Sequence, residues 1–514
     1  MNSKKTQVLI RVLLVAGILI LVNFISVRIF TRLDLTAQGV YTLADASRSL
    51  VGSLGDRVTV KAYFTEDLPA PYNNNRRAVL DILNEYKAYA GGNLQYEFIN
   101  PAGEAAEQEV QQQGIAPVQV QVVNEDKFEV KRGYLGIIML YEDRKEVIPV
   151  VQNLSSLEYD ISSALKRLTT RTKKKIGYTT GHDEPALQAI SRVQQTLMEQ
   201  YELVAVDLSK NEPAPADLAA LLVISPSKKL EDSALYQIDQ HVMHGGKAAF
   251  FINRVTASLN NRFAQPVELG LDSLFAQYGV RINADLIRDA QCANISIQQQ
   301  QGPFMIRSQQ PFAYLPVASN FNRENAIVKD LQSIVFPFVS SLDTTLAAAR
   351  GLKMEVLIRS SSRAGRQSGF IMLDPFQRFE PKDLAEVDIP MAVLVEGSFK
   401  SYFAGSQLQP ALTESPTTRI LVVGDGDFMK DEFLGGPGNV TLFANIVDYL
   451  ADDTGLITIR SKNVNQPPLE EVSDGTKKIL KYGNLLAPPF IIVGYGLFRW
   501  RRRVAMKRAL EASA

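Results

Sequence analysis

One cysteine, Cys292, is all that 514 residues contain, which excludes an intramolecular disulfide framework and any zinc site built from cysteines. Histidine is nearly as scarce. His182, His241 and His244 are the whole supply, too few for a multi-histidine metal centre. No G-x-x-x-x-G-K-[ST] stretch occurs, so the chain has no recognisable phosphate loop with which to hydrolyse ATP. G-x-S-x-G and an equivalent cysteine elbow are missing too, which disfavours hydrolysis through those nucleophiles. No repeat of solenoid or propeller period is present.

Net charge is also lacking, since 55 Lys+Arg balance 55 Asp+Glu. The balance is a cancellation between the ends and the middle. Residues 1–32 carry five basic and no acidic side chains, and residues 477–514 carry nine basic and one acidic, leaving 41 bases against 54 acids in residues 33–476. An acidic body argues against nucleic acid as a partner, because displacing phosphate counterions needs clustered cations. With 46% hydrophobic and 21% charged residues, the chain has the composition of a globular protein and length enough for about three to five domains.

Both basic ends flank apolar runs. Val12–Val27 has no charged residue, and the apolar character extends from Val8 to Phe30 if Arg11 and Arg28 snorkel. Val12, Leu13, Leu14, Ile18 and Leu19 lie in this run, which predicts an amino-terminal membrane anchor over residues 1–32. A second run, Tyr482–Phe498, contains Phe490, Ile491 and Ile492 and is followed by Trp500 among Arg499, Arg501, Arg502 and Arg503. That border predicts a second span over 482–500 and a basic cytoplasmic tail over 501–514. Pro488, Pro489, Gly494 and Gly496 leave open a kinked span or a buried hairpin. Two spans with both termini inside place the bulk of the chain outside the cytoplasm, on a bacterial inner membrane.

The body reads as consecutive α/β units. Thr42-Leu-Ala-Asp45 has capping-box spacing before a short amphipathic helix. Val58–Phe64, Arg76–Ala90 and Leu94–Ile99 predict a β-α-β unit, and 118–123, 127–131, 135–141 and 146–150 predict hairpin strands before a helix at Leu157–Leu168. These make an α+β first domain over 33–170. A second domain over 171–460 begins with a strand at Ile176–Thr179 and continues with strands at 202–206, 221–224 and 248–252 alternating with helices, which implies a mainly parallel sheet. Strands at 354–358, 392–399 and 419–423 complete that sheet or form a separate lobe from near residue 346. Gln298–Gln301 read as a loop, and 461–481 as a linker.

Two strand ends carry the candidate chemistry. Gly181-His182-Asp183-Glu184 follows the first strand of the second domain, where open α/β sheets place ligands. The acidic pair there also suits a helix N-terminus, a purely structural role. Gly424-Asp425-Gly426-Asp427 follows another strand, so the two loops converge on one crevice if both strands share a sheet. Asp425 and Asp427 suit a divalent cation or simply a glycine-rich turn. His241 and His244 sit one turn apart, but Gly245-Gly246 marks a helix end, where histidine caps carbonyls. No metal site and no cofactor is expected.

The order of features resembles a known family. Arg32-Leu-Asp-Leu-Thr36 with Tyr41-Thr-Leu43, Leu157-Glu-Tyr-Asp160 with Ala164-Leu165, Lys175-Ile-Gly-Tyr-Thr-Thr-Gly-His182, Val423-Gly-Asp-Gly-Asp-Phe428, and Gly438-Asn439 through Asn445, Leu450 and Ile459-Arg460 are similar to the auxiliary subunits of gliding-motility-type ABC transporters. The resemblance implies a non-ATPase, membrane-anchored component, often labelled the substrate-binding subunit, that works with a separate permease and a separate cytoplasmic ATPase; a body tethered beside its permease is expected to contact a polysaccharide or protein cargo or to couple permease motion to it. It also implies a second domain like that of an intraflagellar-transport protein and distantly like class I glutamine amidotransferases, without the amidotransferase nucleophile. Asp183 stands where family members usually carry glycine. The expected fold is therefore α/β, membrane-anchored at both ends, with an extracytoplasmic body of an α+β first domain and a flavodoxin-like or amidotransferase-like parallel-sheet second domain. The expected ligand-binding residues are Gly181, His182, Asp183, Glu184, Asp425 and Asp427, with no catalytic residues. Two rival readings stand beside it: an extracytoplasmic hydrolase or glycan-modifying enzyme using His182, Asp183 and Asp425, and a structural envelope scaffold.

Overall fold

The computed structural model describes residues 42–461 and 474–511, except 67, 69–71, 125–126, 152–153, 211, 302–303, 409, 434–436 and 453, together with residues 14, 15 and 17. Two compact units result, one ending at Asn465 and one beginning at Gln466.

The first sheet is built around β1 (Val58–Phe64), which pairs in parallel with β2 (Leu94–Ile99) and antiparallel with β4 (Lys127–Tyr141). β3 (Pro117–Asn124) and β5 (Arg144–Ile148) both add to β4. The two strands expected at 127–131 and 135–141 are thus one continuous strand. Val58, Val60, Ala62 and Phe64 alternate into the core, as a half-buried strand requires. They meet Val79, Leu83 and Tyr86 of helix α2 (Asn73–Tyr89), whose spacing of three and four puts them on one face.

The N-cap of helix α1 (Asp45–Gly52) is Ala44 and not the Thr42 that the capping-box spacing suggested, and Ala44 has no side-chain cap bond to offer. Its cap comes from far along the chain. Glu158, on α3 (Leu157–Thr169), accepts hydrogen bonds from Ala44 N at 2.6 Å and Ser47 Oγ at 2.7 Å. A buried carboxylate at a helix N-terminus satisfies exposed amides and meets the positive end of the dipole.

The second sheet has eight strands, and its axis is five parallel strands in the order β13 (Thr418–Val423), β9 (Ala248–Phe251), β8 (Leu218–Ile224), β6 (Lys175–Thr180), β7 (Glu202–Asp207). Beyond β13 it continues antiparallel through β12 (Pro390–Gly397), β11 (Lys353–Arg359) and β10 (Asn320–Phe321). The late strands therefore join the same sheet, and the sheet is mixed where a mainly parallel one was expected. Leu-Ala-Ala-Leu-Leu-Val-Ile and Ala-Ala-Phe-Phe read as near-continuous apolar runs because both faces are covered. Leu222, Ile224 and Phe251 pack into one core, while Leu221, Val223 and Phe250 pack into the other. Helices α4 (Ser191–Gln200) and α6 (Pro437–Leu450) cover the first face, and α5 (Asp232–Met243) covers the second.

A further correction concerns the glutamine tract. Gln298–Gln301 lie in a strand, Cys292–Gln301, paired with Phe304–Ala318 in a long hairpin. Cross-strand bonding supports it, with Gln309 Nε2 donating to Ser296 Oγ at 2.6 Å.

Within the first unit, helix α7 (Thr454–Ser461) lies between the helices of the two sheets, packing on α6 of the second and on α1 and α3 of the first. Arg460 is buried, pairs with Asp448 of α6 at 2.9 Å, donates to Asn445 Oδ1 at 2.7 Å and reaches Tyr159 OH of α3 at 3.0 Å. Burial opposes its charge, but Asp448 and Tyr159 outweigh that and raise its pKa. Tyr201 OH donates to the same Asp448 at 2.6 Å.

Membrane anchoring at both ends is not what the described residues form, since no described helix is long and apolar enough to cross a membrane. Val12, Leu13, Ile18 and Leu19 lie outside the described residues, and Leu14 is helical and exposed. At the other end α8 (Asp474–Glu511) is one continuous helix holding Phe490, Ile491, Ile492 and Trp500, and it already includes residues 474–481 of the expected 461–481 linker. The run Tyr482–Phe498 would rise only about 26 Å as a helix, short of a hydrocarbon core of about 30 Å. Asn484, Pro488, Pro489 and Tyr495 dilute it further.

Candidate functional site

The parallel strands all end on one side of the sheet, and their carboxyl ends frame a cavity of about 620 Å³. Asp183, Ser225, Asn253, Thr256, Asp427 and Lys430 contribute to its lining. The crevice outside parallel strand ends collects loops that the sheet itself holds rigid.

The first loop leaves β6 at Gly181, whose φ of +108° favours glycine, and a Cβ there would lie 2.9 Å from Asp207 Oδ1. His182 follows, buried, with its ring Nδ1 unpartnered. Its carbonyl accepts from Ser227 N at 3.0 Å and Lys228 N at 3.1 Å, which ties this loop to the one after β8. Glu184 turns back on its own loop, accepting from His182 N at 2.7 Å. Asp183 takes φ +55°, a conformation glycine enters freely, and its carboxylate pairs with Lys228 at 2.9 Å on the exposed side.

The second loop leaves β13. Asp425 is fully buried; its Oδ1 accepts from Asp427 N at 2.6 Å, and its Oδ2 has no partner. Burial, with the charge of Asp427 added, holds its carboxyl well above the usual carboxylate range. Asp427 reaches the cavity, where Oδ1 accepts from Asn253 Nδ2 at 2.8 Å and pairs with Lys430 at 2.7 Å.

Asn253 is the clamp between strands. Its Nδ2 also donates to Ser225 Oγ at 2.9 Å, and its Oδ1 accepts from Gly426 N at 2.7 Å. Gly426 must be glycine for this contact, because a Cβ would stand 2.6 Å from Ser225 Cβ and 2.8 Å from the Phe251 carbonyl. Ser225 itself is held at φ +47° at the end of β8. Strained backbone of this kind costs about 1–3 kcal/mol and concentrates at functional sites.

Of the residues expected at the site, Asp183 and Asp427 line one cavity, Gly181 shapes its loop, and His182, Glu184 and Asp425 are not among the lining residues. No hydrogen bond joins His182 to Asp425: His182 Nδ1 and Asp425 Oδ2 are both without a partner, and the strands the two residues follow are not neighbours, since β8 and β9 lie between them. Asp431 also lines the cavity, but it is occupied as the cap of α4, accepting from Ser191 N at 3.0 Å and Arg192 N at 3.3 Å. No group of three His, Cys, Asp or Glu residues that could hold a metal ion is present among the described residues. Such a lining offers hydroxyls, carboxylate oxygens and one ammonium to a polar ligand, with no nucleophile, base and orienting group in mutual reach.

Sequence reasoning missed Ser225, Asn253 and Lys430. Ser225 and Asn253 end or follow apolar strands as Gly181 and Gly424 do, so the strand-end rule could have found them. Lys430 could have been found as the residue three beyond Asp427.

The sheet and its cavity fall within residues 173–452, which match the family described as an ABC-type uncharacterized transport system, a family of ABC transport auxiliary proteins. The chain belongs to this family. Membership makes it an auxiliary component associated with a membrane-bound ABC transport system. Residues 37–140 match a domain of unknown function. An uncharacterized protein of Borreliella burgdorferi is 23% identical over 518 residues, spanning 98% of this chain and 99% of its own. Among solved structures, the N-terminal domain of mmIFT52 is similar at 12% identity over 54% of this chain and 96% of its own, with a TM-score of 0.33. PurLQS from Thermotoga maritima is similar at 9% identity over 54% of this chain and 100% of its own, with a TM-score of 0.27. Scores this low do not establish a common fold.

Proposed function

We propose that this auxiliary protein is the non-ATPase ligand-binding or coupling subunit of a transporter of the gliding-motility type, and that its carboxyl-end cavity receives a polar group of a polysaccharide or protein cargo. The carrying observation is the cavity bridged by Asn253, which fixes Ser225, Gly426 and Asp427 together. A polar site organised before binding loses less entropy when a ligand arrives. A permease and a separate ATPase subunit supply the path and the energy, in keeping with a sequence that has no phosphate loop.

The hydrolase reading is weakened by the separation of the strands that carry His182 and Asp425. Cross-linking in native membranes followed by purification tests the subunit role. Recovery of a permease and an ATPase with the chain is expected, and recovery of neither overturns it. Lys430→Ala should leave that assembly intact and lower transport at least about tenfold, whereas His182→Ala should leave no loss of turnover to measure, since no turnover is expected. A hydrolytic activity abolished by His182→Ala would favour the enzyme instead.

A further inference from the structure

The opposite end of the same sheet holds a second cavity, of about 820 Å³, beside the amino ends of β8 and β9. Its lining includes Pro215, Leu218, Tyr236, Gln237, His241 and His244, and among the described residues contains no Asp, Glu, Lys or Arg. Concave sites with apolar walls and a few placed polar groups are the usual form of a small-molecule pocket.

Three side chains of the lining, Gln237, His241 and His244, have an acceptor atom not used by the hydrogen bonds that hold them. Gln237 is only 6% exposed; its Nε2 donates to Leu208 O at 3.3 Å and Lys210 O at 2.8 Å, which uses both amide hydrogens, and its Oε1 accepts from nothing. A buried carbonyl oxygen without a donor is costly, and a small turn of the side chain that brought it to a ligand donor would remove that cost. His241 Nε2 lies 3.2 Å from the Lys247 carbonyl, so that nitrogen carries the proton and Nδ1 is left as an acceptor. His244 Nδ1 lies 2.7 Å from the Gln240 carbonyl, which leaves its Nε2 as an acceptor. Burial, more than any other influence, lowers the pKa of His241 and keeps its ring neutral. Gly246 is part of the construction, since a Cβ there would sit 2.4 Å from His241 Nε2.

We propose that this amino-end cavity binds a small, uncharged, mainly apolar molecule that carries hydrogen-bond donors. The site is separate from the carboxyl-end cavity, so it stands or falls independently of the cargo reading.

Phenol and toluene are suitable probes, because they share a ring and differ in the donor. Saturation-transfer NMR on the full chain should show phenol binding about fivefold more tightly than toluene, the factor expected of one net hydrogen bond. Ala216→Trp, at an exposed lining position, should abolish phenol binding by filling the cavity. Gln237→Met should remove most of the preference for phenol; if that variant does not fold, Ala216→Trp decides. Equal binding of the two probes, binding of neither, or phenol binding undiminished by Ala216→Trp overturns the proposal.

Discussion

Asp425 shows how much one side chain can set at this site. Its carboxyl is buried with one oxygen unpartnered, and burial, followed by the charge of Asp427, raises its folded-state pKa. A raised pKa means that the folded state holds the proton more tightly than the unfolded chain does, so the contribution of this group to stability is greatest at low pH and falls as pH rises above the unfolded value of about 3.9. Asp425→Asn should therefore stabilise the protein at pH 7 by on the order of 1–3 kcal/mol, with the difference vanishing near pH 3. Thermal unfolding across pH measures this, and a pH-independent difference would show the burial argument to be wrong. Asp183 gives a second case. Its φ of +55° strains a side chain, while its exposed pair with Lys228 contributes little. Asp183→Gly should raise stability by roughly 0.5–1 kcal/mol, read from the denaturant midpoint.

Among the elements, α1 and α7 show local sequence being overruled by distant partners. The capping box at Thr42 was a sound local signal, yet Glu158 lies where the amide of Ala44 and the hydroxyl of Ser47 can use it. A carboxylate from a packed helix satisfies both groups at once, and no local pattern announces it. Glu158→Ala should cost about 1–3 kcal/mol by leaving those donors unmet, and hydrogen exchange should rise first in α1. At α7, Arg460 gathers Asp448 and Asn445 from α6 and Tyr159 from α3. Removing one partner of a buried pair costs about 3–5 kcal/mol, because the other charge is left uncompensated. Arg460→Met should lose about that much in chemical denaturation, and replacing Asp448 by Leu as well should recover a large part of it. The glutamine tract belongs at this scale too. Polar composition suggested a loop, but the two strands pair through their backbones, which are indifferent to that composition.

For the whole molecule, the sequence alone determined the local alternation of strands and helices and the two loops worth watching. Those features depend on residues close together in the chain: apolar runs such as Ala248–Phe251, helical spacing such as Val79, Leu83 and Tyr86, and glycines at strand ends. Apolar length also suggested membrane spans, but hydrophobicity read as a run does not register that Tyr482–Phe498 is short and interrupted within a longer, highly charged helix. Only the tertiary structure decided that β11, β12 and β13 complete one mixed sheet, that β8 and β9 lie between the strands leading to His182 and Asp425, and that Asn253 and Ser225 stand between the two acidic loops. The physical reason is that strand order follows from which apolar faces can be buried together, a choice made among residues hundreds of positions apart. The chemistry of a cavity then depends on which loops that order makes neighbours.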